Sequence, residues 1–240
     1  MSGRPHRALT AAGYGATALA TAGVVLAKQP PALARLLSRQ QHVVFQVRTR
    51  SPGVALTFDD GPHPTLTPRI LEVLARHDAR ATFFLLGSRV EDHPAAARAV
   101  VDAGHEVGNH GWADEPAVLQ PTEAYRRDLE RTSAAVAAAT GVRPTLTRPG
   151  SGVVRPAQVR VATSLGMRTV LGSVAVPDAE VRDVGVAARF VLDRVQPGSV
   201  VVLHEGVGAR HRVVDLLELL LPELDRRGHR SRTVSDLLGG

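Results

Sequence analysis

From Val54 onward the chain alternates short apolar runs with longer stretches of helical periodicity. "VALTF" (54–58) reads as a strand, and "TPRILEVLARHD" (67–78) as a helix with Ile70, Leu71 and Leu74 on one face. "ATFFLLG" (81–87) is the next strand, and "HPAAARAVVDAG" (93–104) the next helix, closed by Gly104. The pattern then gives strand "HEVGNH", the long helix "PTEAYRRDLERTSAAVAAATG", strand "TLTRP", helix "PAQVRVATSLG" and strand "RTVLGSVAV". Helix "VAARFVLDRV", strand "SVVVLHE", helix "RVVDLLELLLPELDRRG" and a last strand near "HRSRTV" complete it. Strict alternation predicts a parallel sheet covered by helices, of the α/β class. An open doubly wound sheet satisfies the same pattern, but no GxGxxG opens the first helix, so the dinucleotide-binding version lacks its fingerprint.

Polar residues gather where strands end. Asp59 and Asp60 follow the first strand, His110 the third and Arg148 the fourth; Asp178 comes shortly after the fifth, and His204 ends the sixth. In a β/α barrel all strand ends face one rim, where active sites are built. A lone strand-end Asp is ordinarily a cap or a turn residue, so the convergence of six carries the argument for catalysis. In "TFDDGP" two carboxylates are adjacent, and neighbouring strand residues point to opposite sides. One aspartate can then bind a metal while the other serves as base to a metal-activated water. His204 is placed to protonate a leaving group.

The chain has no cysteine, so a metal would rest on His, Asp or Glu alone. In "GNHGWADE" His110 is followed four residues later by Asp114, where an i, i+4 metal pair would have its second imidazole. The formal charge is +6, and Lys28 is the only lysine among 29 basic residues. With aromatics at 3% there is no stacking platform for nucleic acid; attraction to anionic wall polymers or lipid headgroups is the partner class that the charge leaves open. Residues 8–27 form an uncharged run of mostly Ala, Gly and Thr, with Arg4 and Arg7 before it and Lys28 after. Its length suits a single membrane contact; a cleaved signal peptide and a soluble Ala-rich helix are the other two readings. Residues 1–49 are assigned to this apolar helix and a linker, and residues 50–240 to the barrel.

"TFDDGP", "GHEVGNH", "TRPGSG" and "VVLHEG" occur in the order and at about the spacing of the polysaccharide deacetylase family, carbohydrate esterase family four. The resemblance covers about residues 50 to 238. It implies a distorted (β/α) barrel, here with about seven parallel strands, and metal-dependent removal of an acetyl group from an acetylated glycan, by a monomer at the cell envelope or outside the cell. By resemblance Asp59 is the base, Asp60 and His110 are metal ligands, and Arg148 holds the base. Asp178 orients His204, the general acid. The metal is a divalent cation, zinc foremost, with manganese, cobalt or magnesium as alternatives.

Three departures from the family pattern involve five positions. Asp114 stands where a second histidine ligand belongs and is expected to be the third metal ligand beside Asp60 and His110, with Glu115 the substitute if Asp114 points away. Gly150 and Ser151 replace the Pro-aromatic pair of the arginine motif, leaving the Ser151 amide for the oxyanion. Ala179 replaces an aromatic residue, and Ala175 the motif's other acid. Trp112, the only tryptophan, is then the one indole near the site. The expected function is a metal-dependent deacetylase; the alternatives are a catalytically weakened glycan-binding protein and a hydrolase of another amide or ester. His63 and His93, beside prolines, are expected in exposed loops, His105 at a strand start, and Glu205 at the rim or just behind it.

Overall fold

The computed structural model describes residues 42–176, 183–206 and 211–239. The apolar run at 8–27, Asp178 and Ala179 lie outside the described residues. Among the described residues no helix is long and apolar enough to cross a membrane.

Nine strands among the described residues join one sheet: β1 (Val43–Val44), β2 (Gly53–Gly61), β3 (Ala81–Leu85), β4 (Glu106–Asn109), β5 (Leu146–Thr147), β6 (Arg168–Val170), β7 (Val174–Ala175), β8 (Val200–His204) and β9 (Arg230–Ser231). Their order is β1-β6-β5-β4-β3-β2-β8-β7, with β9 on β2, and every strand pair is parallel. Among the described residues eight α-helices accompany them: α1 (Leu66–Arg76), α2 (Gly87–Asp92), α3 (Pro94–Asp102), α4 (Thr122–Thr140), α5 (Pro156–Ser164), α6 (Val184–Leu192), α7 (Val213–Arg226) and α8 (Val234–Gly239). This is the expected distorted (β/α) barrel, with more and shorter strands than the seven read from the pattern.

Alternation along the strands sorts side chains into two cores. Val54, Leu56 and Phe58 of β2 and Ala81, Phe83 and Leu85 of β3 face outward, to Ile70 and Leu74 of α1 and Leu217 and Leu220 of α7. Phe58 stacks on Phe83 there, with ring centroids 4.8 Å apart. Ala55, Phe84, Leu146, Val170 and Val200 face inward, and Val234 and Leu237 of α8 pack with them. The Val234 amide donates to Thr82 Oγ1 at 2.9 Å, seating α8 against β3. Strand β2 is buried at all nine positions, as a central strand covered on both faces must be.

Three elements differ from the pattern reading. Val43–Val44 pair with Thr169–Val170, so the sheet begins inside the segment assigned to the linker. "RTVLGSVAV" is two strands: β6 lies beside β1 and β5, whereas β7 lies at the other end of the sheet beside β8. Gly172, at φ 90°, makes the break; a Cβ there would overlap Val202 Cγ2. The run from Ala81 stops as a strand at Leu85, and α2 starts at Gly87.

Gly108 sits opposite Phe84 in register, and a Cβ at 108 would lie 2.5 and 2.7 Å from two Phe84 ring carbons. Phe84 is fully buried and carries the Arg148 guanidinium 4.2 Å above its ring. Gly108→Ala is therefore expected to destabilise the fold by about 1–3 kcal/mol, the usual cost of overpacking. Urea unfolding checks this, and an unchanged midpoint would show that Phe84 yields freely.

Candidate active site

The inward-facing register of β2 continues from Ala55 through Thr57 to Asp59, and these two polar residues meet the one buried arginine of the inner face. Arg148 follows β5, is 2% exposed, and donates through Nη1 to Asp59 Oδ1 at 2.7 Å and to Thr57 Oγ1 at 2.7 Å. Its Nε donates to the Val170 carbonyl at 3.1 Å. Thr57 Oγ1 itself donates to the Val201 carbonyl at 2.7 Å, tying the pair to β8. Burial lowers the Arg148 pKa and the Asp59 carboxylate opposes that shift. Thr57 was not singled out from sequence; its signal was a polar residue two positions before Asp59 in an otherwise apolar strand.

Asp60 is also buried, at φ 66°, a left-handed backbone that Asp adopts more readily than most residues. The β2–β3 register shifts between Phe58 and Gly61. The expectation that adjacent aspartates point to opposite sides is corrected here, because the irregular backbone turns Asp60 onto the same rim. Asp60 Oδ1 is 3.4 Å from His110 Nε2, and His110 Nδ1 is 2.8 Å from the Arg148 carbonyl. Burial by itself would lower the His110 pKa; the charges of Asp59 and Asp60 outweigh it and hold it raised.

His204 ends β8 and is the register partner of Asp59 across the β2–β8 pair. Partners in parallel strands present side chains on one face, with the strands about 5 Å apart. Five of the predicted residues, Asp59, Asp60, His110, Arg148 and His204, therefore share one rim. The sixth, Asp178, lies outside the described residues.

Asp114 does not join them. It is exposed, the charges acting on His110 are those of Asp59, Asp60 and Arg148, and among the described residues no three His, Asp or Glu stand close enough to hold a metal. The i, i+4 argument presumed a helical turn. Residues 110–114 make none, and Gly111 sits at φ 85°. Asp60 and His110 thus offer two donors, one short of the three protein ligands of a catalytic zinc, so the residues present do not complete the donor set that the family resemblance implies.

Trp112 is held in place by residues of two helices. Its ring covers Gly87, where a Cβ would lie 2.5 Å from Cε3. The Arg131 Cζ stands 3.2 Å from the ring centroid on the indole. Its amide donates to both carboxylate oxygens of Asp128 at 3.1 Å. The indole is therefore a clamp between α2 and α4 and not an open platform for a sugar.

Glu205 lies behind the rim, the deeper of its two expected places, and is fully buried. Its Oε2 accepts from Thr67 Oγ1, and its amide donates to the Asp59 carbonyl at 2.9 Å. Gly61 has to be glycine here, because a Cβ would overlap Oε1 and lie 3.0 Å from Cδ. Burial pushes the Glu205 carboxyl up to about 7, against the stabilising pull of Thr67, Arg89 and the His63 amide. His63 accepts the Leu66 amide on Nδ1 at 3.2 Å, closing the loop before α1. His105 is buried at the start of β4, and burial with the Arg80 charge lowers its pKa to about 4.

Comparison with known proteins agrees with this geometry. The family model "Polysaccharide deacetylase" matches residues 46–170. A peptidoglycan-N-acetylglucosamine deacetylase of Bacillus cereus is 34% identical over 199 residues, covering 82% of this chain and 93% of the relative. The crystal structure of the Bc1960 peptidoglycan N-acetylglucosamine deacetylase superposes with a TM-score of 0.80 at 30% identity, covering 84% of this chain and 94% of that one. BA3943 of Bacillus anthracis, a CE4 family pseudoenzyme, superposes with a TM-score of 0.76 at 28% identity, covering 82% of this chain and 68% of its own. The parallel barrel, the shared rim and these matches establish that the chain belongs to the polysaccharide deacetylase family.

Proposed function

We propose that this chain hydrolyses the acetyl amide of an N-acetylated sugar in a cell-wall glycan, acting at the cell envelope or outside the cell. The observation that carries the reading is the register of β2 against β8: it sets Asp59, already paired to buried Arg148, beside His204 on one face. Asp59 is the base that takes the proton of the attacking water, and the Arg148 guanidinium holds that carboxylate in place. His204 is the acid that protonates the departing sugar nitrogen, so the C–N bond breaks to an amine and acetate leaves. The Ser151 amide, in the tight turn at Gly150–Gly152 beside Arg148, is the donor offered to the tetrahedral oxyanion. A bound divalent cation would supply Lewis acidity to the acetyl carbonyl, and Asp60 and His110 are the two side chains on offer to it. The Bacillus cereus relative supports peptidoglycan as the substrate class.

The experiment is acetate release from N-acetylglucosamine oligomers and from peptidoglycan by the full chain, with its metal content measured alongside. Turnover by the wild type, lost in His204→Asn while glycan binding persists, is the expected result. No acetate from either glycan, even with zinc, manganese, cobalt or magnesium supplied, would sink it. A second reading, a glycan-binding member without turnover, is favoured by the two-donor site and by the likeness to a pseudoenzyme; glycan binding with no acetate release would establish it.

A further inference from the structure

The departure at position 150 lies against Glu115, the neighbour of the departure at position 114. We propose that Gly150 keeps position 114 out of the metal site, because the backbone of Glu115, the residue next to it, rests where a side chain at 150 would stand. The inference rests on the reading of the rim as a centre that takes a divalent cation. A Cβ at 150 would overlap the Glu115 carbonyl oxygen and lie 3.1 Å from its carbon and 3.7 Å from its nitrogen. These are backbone atoms, so the clash cannot be relieved by a rotamer change.

The two ends of the segment 113–116 are fastened. On one side the Gly87 and Ser88 amides, at the start of α2, donate to the Gly111 and Trp112 carbonyls at 3.0 Å each. On the other, Gln158 Nε2 donates to the Ala117 carbonyl at 2.6 Å. Between these ties Ala113, Asp114, Glu115 and Pro116 are all exposed, and the Glu115 amide closes on the Ala113 carbonyl at 2.8 Å. Beneath the segment His110, Gly111, Ala113, Glu115 and Gly150 line a cavity of ≈ 10 Å³, room for about one water. While it occupies its seat on Gly150, the segment is exposed and makes no helical turn over His110. Two residue changes become one structural change: the missing side chain at 150 admits the segment, and the seated segment carries residue 114 away.

Restoring an imidazole at 114 is then insufficient by itself. The test uses the full chain and zinc alone, with affinity read by titration calorimetry and the segment read by the emission of Trp112, the only tryptophan. D114H is expected to bind zinc within about threefold of wild type, G150A to shift the Trp112 emission, and D114H/G150A to bind at least about tenfold tighter than D114H, the gain expected of one added ligand. A tenfold gain in D114H alone overturns the proposal, as does an unshifted emission in folded G150A. So does a double variant no tighter than D114H once the emission has shifted. If the G150A chains fail to fold, the D114H measurement decides by itself. Acetate release, read in parallel, tests the hydrolase reading separately: zinc gained without turnover leaves this inference standing and counts against that one.

Discussion

Asp59→Asn is expected to cost the chain both its turnover and several kcal/mol of stability. The change keeps the side-chain shape and removes one charge. Activity falls because the amide cannot take the proton of the attacking water; a positioned base contributes about 10²–10⁴-fold. Stability falls because Arg148, 2% exposed, loses its counter-charge. Its Nη2 already makes no hydrogen bond, and the Asp59–Arg148 contact at 2.7 Å is its only ion pair among the described residues. Breaking a buried pair from one side costs about 3–5 kcal/mol. The second variant separates the two effects: Asp59→Asn with Arg148→Met removes both charges, so most of the lost stability returns while activity does not. Urea unfolding and acetate release read the two outcomes. Stability unchanged to within about 1 kcal/mol in the single variant would mean that the guanidinium is hydrated and the pair contributes little.

The rim was legible because it follows from two regularities. Strand ends converge in a β/α fold, and alternation along β2 decides that Thr57 and Asp59 face inward with Arg148. Asp59, Asp60, His110, Arg148 and His204 could be named from those rules and the family motifs. What failed were steps that assumed regular backbone. The opposite-side argument for Asp59 and Asp60 needs a flat strand, and Asp60 at φ 66° is not in one. The i, i+4 argument for Asp114 needs a helical turn, and Gly111 at φ 85° prevents it. "RTVLGSVAV" has one composition throughout, yet its halves pair at opposite ends of the sheet; only Gly172 hinted at the break. For Glu205 the rim and a place behind it stay open in the sequence, because proximity to His204 in sequence says nothing about depth. Its burial depends on Gly61 and Thr67, which come from a different strand and helix.

Glu205→Gln is expected to make the folded chain more stable at pH 8 and to leave it unchanged near pH 4. The buried carboxyl holds its proton to about pH 7, against 4.5 as its ordinary value. Between those limits the folded chain binds more protons than the unfolded chain, so this group's contribution is fully present below about 4.5 and is lost as pH rises through about 7. A shift of that size corresponds to roughly 3 kcal/mol as an upper figure. His105 works in the opposite sense. Its folded pKa of about 4 lies below the ordinary 6.5, so its proton is lost on folding and stability rises with pH over that range. The two slopes oppose each other in the wild type, so its own pH profile isolates neither. The difference between Glu205→Gln and wild type exposes the carboxyl: the variant keeps a hydrogen-bonding partner for Thr67 and lacks the titration. Urea unfolding at pH 4, 5.5, 7 and 8 should give a stability difference that grows from nothing to its full size by about pH 7. A difference that is constant with pH would show that Glu205 titrates near its ordinary value and that water reaches it behind the rim.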